Sequence, residues 1–259
     1  MRIICDAHVH LYHCFKPETL IQNLAVNLEK TSKSDAKCAF LLLPNNSLTW
    51  KETVTDTFKQ LPDMETKLNS NEESITLFKD KIPFLHLLPG KQIVTEEHIE
   101  ILSLGTSENI ANKLPAVETI SLVENAGGLP VLSWSPGKWL FTRGKIVKKI
   151  IENHQTKKIF LCDTAIRPAA WPEPLPIKIA REKGISILAG SDPLPIAGDE
   201  KYAGTYGFII DAPFNPSSPL TSMLEALSQN DPDIITAGRR NGLSTSAKRW
   251  LKHELRRSH

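Results

Sequence analysis

No apolar run in the 259-residue sequence is long enough to cross a bilayer, and the opening residues lack the apolar stretch of a signal peptide. The formal net charge of +2 supplies no basic stripe of the kind that grips nucleic acid. The four cysteines form no CxxC pair, which removes the usual zinc ribbon and the dithiol redox centre. Cys5, Cys38 and Cys162 sit in apolar, strand-like runs and read as reduced core thiols. No glycine-rich phosphate loop follows the first apolar run, which weighs against a dinucleotide-binding open sheet. Internal repeats, low-complexity linkers and a clear boundary are also missing, so residues 1–259 read as one domain. The expectation is a cytoplasmic protein with no membrane and no nucleic-acid partner, free to form a homo-oligomer.

The pattern that is present is a βα rhythm. Ile3, Ile4 and Cys5 read as a short buried strand, followed by a helix stripe of Leu20, Ile21, Leu24 and Leu28. CAFLLLP is apolar without alternation, as a strand covered on both faces would be. Residues from about 45 to 81 are sparsely apolar and read as an inserted helical segment. PFLHLLPG and IEILSLG follow as strands. Leu114, Val117, Ile120 and Val123 then form a helix stripe that stops at Gly127-Gly128. LPVLSW, KIFLCD and ISILAGSD read as later strands, separated by helices around Ile146–Ile151 and Ile177–Lys183. Leu220, Met223, Leu224 and Leu227 mark one further helix. A last one is capped by Ser244 or Thr245, with Ala247, Trp250, Leu251 and Leu255 on its apolar side and the basic run KRWLKHELRR as a solvated face. The fold class is α/β, and the expected architecture is a distorted (β/α)7-8, TIM-like barrel.

The active face of such a barrel is built by the loops that leave the carboxyl ends of its strands. The first strand runs into Asp6, His8 and His10, which in extended backbone point to one side. Two imidazoles and a distant carboxylate make a divalent-metal site, and Asp192 after ISILAGS is the carboxylate best placed to join His8 and His10. Lys91, Gln92, Glu96, Glu97, His98 and Glu100 follow PFLHLLPG; Ser133, Ser135, Lys138 and Trp139 follow LPVLSW; Asp163, Thr164 and Arg167 follow KIFLCD. Asp199 and Glu200 lie beyond Asp192. His86, inside an apolar strand, reads as a satisfied core histidine, and His154, ahead of a strand, as an exposed one. Lys138, Arg143 and Arg167 would face one mouth, where an anion such as a phosphate ester is the matching substrate; salt bridges to Glu96, Asp163 or Asp199 are the structural alternative.

The motif order from Asp6 to Asp192 resembles the polymerase-and-histidinol-phosphatase (PHP) family, and more distantly the amidohydrolases. DAHVH is similar to the PHP opening motif, PGKQIVTEEHIEILSLG to its glycine-glutamate segment, NAGGLPVLSWSPG to its Ala-His-Pro segment and AGSDPLP to its Gly-Ser-Asp-x-His ending. His8, His10 and Asp192 keep the ligand types of that family. Gln92 stands at its glutamate, Trp134 and Leu194 stand at two of its histidines, and Glu100 falls near a third. The resemblance therefore implies one Zn²⁺ or Mn²⁺ on His8, His10 and Asp192, with Glu100 or Asp163 available to join it, in place of a trinuclear cluster. It implies a metal-dependent hydrolase, a phosphoesterase acting on a small anionic substrate. Asp163 or Glu100 would be the general base, and Lys138, Arg143, Arg167, Trp139 and Gln92 would contact the substrate. The alternative is a PHP-like barrel that has lost catalysis and binds a ligand or partner. A third is an amide or lactone hydrolase of the amidohydrolase type.

Overall fold

The computed structural model describes residues 1–43, 49–59, 61, 63–153 and 159–257; His154 lies outside them. The described chain is built on one sheet, rolled into a nearly closed barrel. Its strands are β1 (Arg2–His10), β2 (Ala36–Leu43), β3 (Glu65–Leu68), β4 (Ile75–Lys79), β5 (Ile82–Val94), β6 (Glu100–Leu104), β7 (Leu129–Ser133), β8 (Phe160–Thr164), β9 (Ile187–Gly190), β10 (Tyr206–Asp211) and β11 (Ile234–Gly238). The helices are α1 (Pro17–Thr31), α2 (Trp50–Phe58), α3 (Ala116–Asn125), α4 (Phe141–Asn153), α5 (Leu175–Glu182), α6 (Pro219–Ser228) and α7 (Leu243–Arg257). The strand order is β11-β10-β1-β2-β5-β6-β7-β8-β9. This is the distorted TIM-like barrel that the βα rhythm predicts.

The distortion lies in strand direction. β1-β2-β5 and β7-β8-β9 are parallel runs, but β6 is antiparallel to both its neighbours, β10 is antiparallel to β1, and β11 is antiparallel to β10. Reversal of β6 puts its first residue, Glu100, at the end of the barrel where β5 and β7 finish, paired in register with Ser133. The inserted segment is helical only in its first half, at α2; β3 and β4 form a hairpin whose second strand pairs with β5. Ile75 and Leu77 make that hairpin amphipathic with a period of two, which the surrounding charges obscure in the sequence.

Three apolar layers hold the barrel. Inward side chains such as Cys5, Phe40, Leu88, Leu102, Val131, Phe160, Leu188 and Phe208 fill the interior. Leu20, Ile21, Leu24 and Leu28 of α1, with Trp50, Val54 and Phe58 of α2, cover one outer side. Ile120, Val147, Ile151, Ile177 and Ala180 of α3 to α5 cover another. Each fully buried Leu, Ile or Phe contributes roughly 1.5–3 kcal/mol against conformational entropy.

Two helix stripes sit differently from the periodicity. In α3 the buried positions are Ala116, Thr119, Ile120 and Val123, and Val117 is exposed. α7 starts at Leu243, so Ser244 and Thr245 are inside it, and Trp250, Leu251 and Leu255 are about half exposed. Its buried side carries Ser246 and Arg249 instead, because Arg249 meets a buried carboxylate, Asp199. The four cysteines are free, with Cys5, Cys38 and Cys162 buried.

Candidate metal centre at the barrel mouth

A register shift in β1 between Asp6 and Val9 decides which side chains reach the interior. Ile4 and Val9, an odd number of residues apart, both pack in the outer layer, so the alternation reverses between them. His8 and His10 consequently turn inward together, while Asp6 stays on the other side. Asp6 is fully buried and accepts hydrogen bonds from the amides of His8 (3.0 Å), Ser191 (2.9 Å) and Gly204 (2.9 Å) and from the Ser191 hydroxyl (2.5 Å). It thereby clips β1 to the chain after β9, across the seam of the barrel.

The Asp192 amide donates to the His8 carbonyl at 2.8 Å, which brings its carboxylate to the two imidazoles. Asp192 has φ +48, a left-handed conformation that aspartate tolerates better than most residues. Gly190 is required by the same approach: a Cβ there would stand 2.4 Å from His8 Cβ and 2.8 Å from His8 N. Arg249 of α7 secures the loop from outside. It donates to the Asp192 carbonyl (3.1 Å) and to the Asp199 carboxylate (2.6 Å), which in turn accepts the Leu194 amide (2.7 Å).

His8, His10 and Asp192 each offer a ligand atom, and these atoms lie within 4.8 Å of one another. His8 Nε2 and His10 Nε2 are 2.9 Å apart, and Asp192 Oδ1 is 3.5 Å from the first and 3.9 Å from the second. Gln92 Oε1, inward-facing on β5, sits 3.2 Å and 3.1 Å from the same two nitrogens. A tetrahedral zinc site with ligand bonds of about 2 Å has ligand atoms about 3.3 Å apart, so this spacing fits one ion. The donor set also fits: neutral imidazoles and a carboxylate suit Zn²⁺ or Mn²⁺. Ser133 Oγ, 3.4 Å from His8 Nδ1, is placed to hold the tautomer that leaves Nε2 as the acceptor.

Burial pushes the His8 and His10 imidazoles down to about 4, so both are neutral near pH 7, the form in which an imidazole can bind a metal. Burial pushes the Asp192 carboxyl up to about 7, partly offset by His10 and Arg249 and reinforced by Glu100. Glu100 goes the other way. Burial alone would raise it, but the Lys138 ammonium and the Ser135 hydroxyl (2.5 Å) hold it below the usual carboxylate range. Gln92 Nε2 donates to Glu100 Oε1 at 3.1 Å, joining the carboxylate to the histidine cluster.

A cavity of about 320 Å³ opens above these groups. His10, Gln92, Glu100, Lys138 and Asp192 line it, with Tyr12, Ser135, Leu194 and, from α7, Trp250, His253 and Glu254. Tyr12 stacks on His10 at 4.8 Å between ring centroids. The contributions of Tyr12 and α7 are absent from the sequence reading. Tyr12 continues the same period-two run as His8 and His10, whereas α7 is brought to the cavity by tertiary contacts of Arg249 with Asp199 and the Asp192 carbonyl.

Other residues singled out in the sequence are placed elsewhere. Asp163 holds Arg167 through two hydrogen bonds, 2.7 and 2.6 Å, and accepts one from Tyr206 at 3.0 Å. Arg167 also donates to the carbonyls of Trp171 and Pro172, and neither Asp163 nor Arg167 lines the cavity. Arg143 donates to the Gly137 carbonyl, and Trp139 is buried in the outer layer with Trp134. Glu97 caps α3 by accepting the Ala116 amide, while Glu96 and His98 are exposed. Lys91 is buried on β5. His86 is a core residue bonded to Thr76 at 2.9 Å and packed edge-on against Phe214.

No family model matches the sequence, and no curated protein does. Solved structures do match. PsfC from Pseudomonas syringae aligns over 99% of this chain and 98% of its own, at 12% identity and a TM-score of 0.55. The lesion-specific endonuclease PfuEndoQ from Pyrococcus furiosus aligns over 91% of this chain but 58% of its own, at 12% identity and a TM-score of 0.57. A two-domain protein from Bacteroides vulgatus, described as containing a predicted PHP-like metal-dependent phosphoesterase, aligns over 98% and 70%, at 11% identity and a TM-score of 0.53. At this identity the likeness is one of fold, and the fold is the PHP-like distorted barrel.

Proposed function

We propose that this protein is a metal-dependent hydrolase, a phosphoesterase for a small anionic substrate, with one divalent ion held by His8, His10 and Asp192. The observation that carries the reading is the convergence of those three side chains beside Gln92 at the floor of a cavity that also contains Lys138. When bound, Zn²⁺ or Mn²⁺ would acidify a water toward neutrality and polarise the scissile group. Lys138 Nζ, on Glu100, neutralises charge on the phosphoryl oxygens. Glu100 stays ionised and accepts a proton at a carboxylate oxygen. This role falls to Glu100, which lines the cavity, rather than to Asp163, which is outside it and held by Arg167 and Tyr206. A small substrate is supported by the cavity volume and by the weak net charge. The phosphoesterase and endonuclease descriptions of fold relatives are consistent with phosphoester chemistry.

Loss of catalysis is the second reading, favoured by three observations. Gln92 supplies an amide oxygen between the imidazoles, Trp134 points into the helix layer, and Leu194 is on the cavity wall. Elemental analysis and turnover separate the readings. Purified protein with stoichiometric metal that is lost in His8→Ala, and hydrolysis of a phosphoester panel after reconstitution, support the enzyme. Full metal occupancy with no turnover of phosphoester, amide or lactone substrates would leave the binding protein.

A further inference from the structure

We infer that the substrate is amphiphilic: a phosphoester whose alcohol portion is apolar and lies in a second hollow beside the polar cavity. The inference rests on the phosphoesterase reading above and deepens it. The second hollow is about 290 Å³ and is lined by Pro136, Ile166, Pro168, Trp171, Ala247 and Trp250, with scarcely a polar atom among its walls. Pro136, Ile166 and Trp250 are walls of both hollows, so the two lie side by side against the same side chains. Trp171 and Trp250 are 48% and 51% exposed, so two large apolar side chains stand open to solvent around one hollow.

Polarity divides sharply between the two hollows. On one side Lys138, Glu100, Gln92, His10 and Asp192 suit a phosphoryl group. On the other, no cation and no carboxylate faces the hollow among the described residues. A polyol or sugar alcohol placed there would lose hydrogen bonds to water and gain none, whereas a ring or alkyl chain would cover the two tryptophans. The hollow is at the lower end of the volumes that hold small ligands, enough for a single ring or a short chain. α7 builds both halves: Arg249 fastens it to the Asp192 loop, and Ala247 and Trp250 on the adjoining turn face the apolar space.

A series of straight-chain alkyl phosphates from ethyl to octyl tests this, because the alcohols leave with nearly equal ease and differ only in apolar length. In metal-reconstituted protein kcat/KM should climb roughly two- to fourfold per added methylene until the hollow is filled, then level off. Trp171→Ala and Ala247→Trp should each reduce the octyl-to-ethyl ratio at least tenfold, while Val117→Ala, an exposed apolar residue on α3, keeps the wild-type ratio. Turnover with a flat series overturns the apolar subsite and leaves the phosphoesterase reading intact. Absence of turnover overturns that reading, and binding then decides the subsite: octyl phosphate quenching tryptophan fluorescence more tightly than ethyl phosphate, with the difference removed by Ala247→Trp, supports it. Equal binding along the series, or a dimer of this chain that hides Trp171, overturns it.

Discussion

Two buried aspartates stand at the ends of neighbouring strands, in opposite company. Asp163, on β8, faces a permanent cation and a phenol: Arg167 and Tyr206 satisfy both its oxygens. Asp192, just past β9, faces neutral imidazoles, a second carboxylate within electrostatic reach and an arginine that binds its backbone rather than its carboxylate. One carboxylate is complete within the protein. The other is complete only when a cation, or a proton, joins it. That difference separates a structural ion pair from a candidate metal ligand more reliably than sequence position does, since both residues end apolar strands.

The largest effect should come from the incomplete site. Asp192→Asn and His8→Ala should each lower metal affinity by more than the roughly 10–100-fold that loss of an outer hydrogen-bonding partner costs, and turnover should vanish with the metal. Elemental analysis and circular dichroism on the same samples check it. Retained metal in a folded Asp192→Asn protein would remove that carboxylate from the site.

Breaking the complete pair should do the reverse. Arg167→Met leaves the buried Asp163 charge with Tyr206 alone and should cost about 3–5 kcal/mol in denaturant unfolding, with metal content per folded molecule unchanged. The double variant with Asp163→Leu should recover most of that loss, because no uncompensated charge remains. Metal loss in Arg167→Met without loss of stability would reverse the assignment of the two aspartates.

Much of this arrangement was legible in the sequence, and the limits are physical. The βα rhythm, the convergence of His8 and His10 with Asp192, the core placement of His86 and the burial of Cys5, Cys38 and Cys162 all follow from apolar runs and what flanks them. The direction of β6 was not legible, since a short apolar strand reads the same in either direction, and neither were β10 and β11. Asp6 shows why pattern alone fails at the site. Its spacing from His8 suits a shared face, but one extra residue in β1 turns it away. Arg167 and Arg249 illustrate a second limit: a basic residue near the mouth is a substrate contact or a brace depending on which carboxylate it meets, and the partner of Arg249 is 50 residues away.

Acid stability tests the same contrast on an imidazole outside the site. Burial pushes His86 down to about 4 from an ordinary value of 6.5. Between those values the unfolded chain holds a proton that the folded chain does not, so stability rises with pH across the window and is lost as pH falls through it. The contribution is on the order of 3 kcal/mol. His86→Leu should reduce the pH dependence of unfolding between about 4 and 6.5 by one histidine's share, the same amount with metal present or absent. Thr76 keeps a partner in Asn69 (3.3 Å), so the hydroxyl is not orphaned by the change. His8 and His10 share the same depressed values, but a bound ion should protect them and leave His86 alone.

The smallest effect, and the sharpest test of the site's missing charge, is Gln92→Glu. The amide of Gln92 now performs two tasks: its oxygen faces both imidazoles and its nitrogen donates to Glu100. A glutamate would strengthen the first interaction only if a cation stands between it and the histidines. It would turn the second into contact between two carboxylates, since the amide nitrogen is 3.1 Å from Glu100 Oε1. Metal-free protein should therefore lose about 1–3 kcal/mol, the cost of a buried polar contact left unmade. Saturating Zn²⁺ or Mn²⁺ should restore at least that amount, because the ion binds the folded chain and the added carboxylate raises its affinity there. Unfolding curves with and without metal give both numbers. If Gln92→Glu is destabilised equally in the two conditions, no cation sits beside position 92, and the incomplete aspartate must find its counter-charge elsewhere.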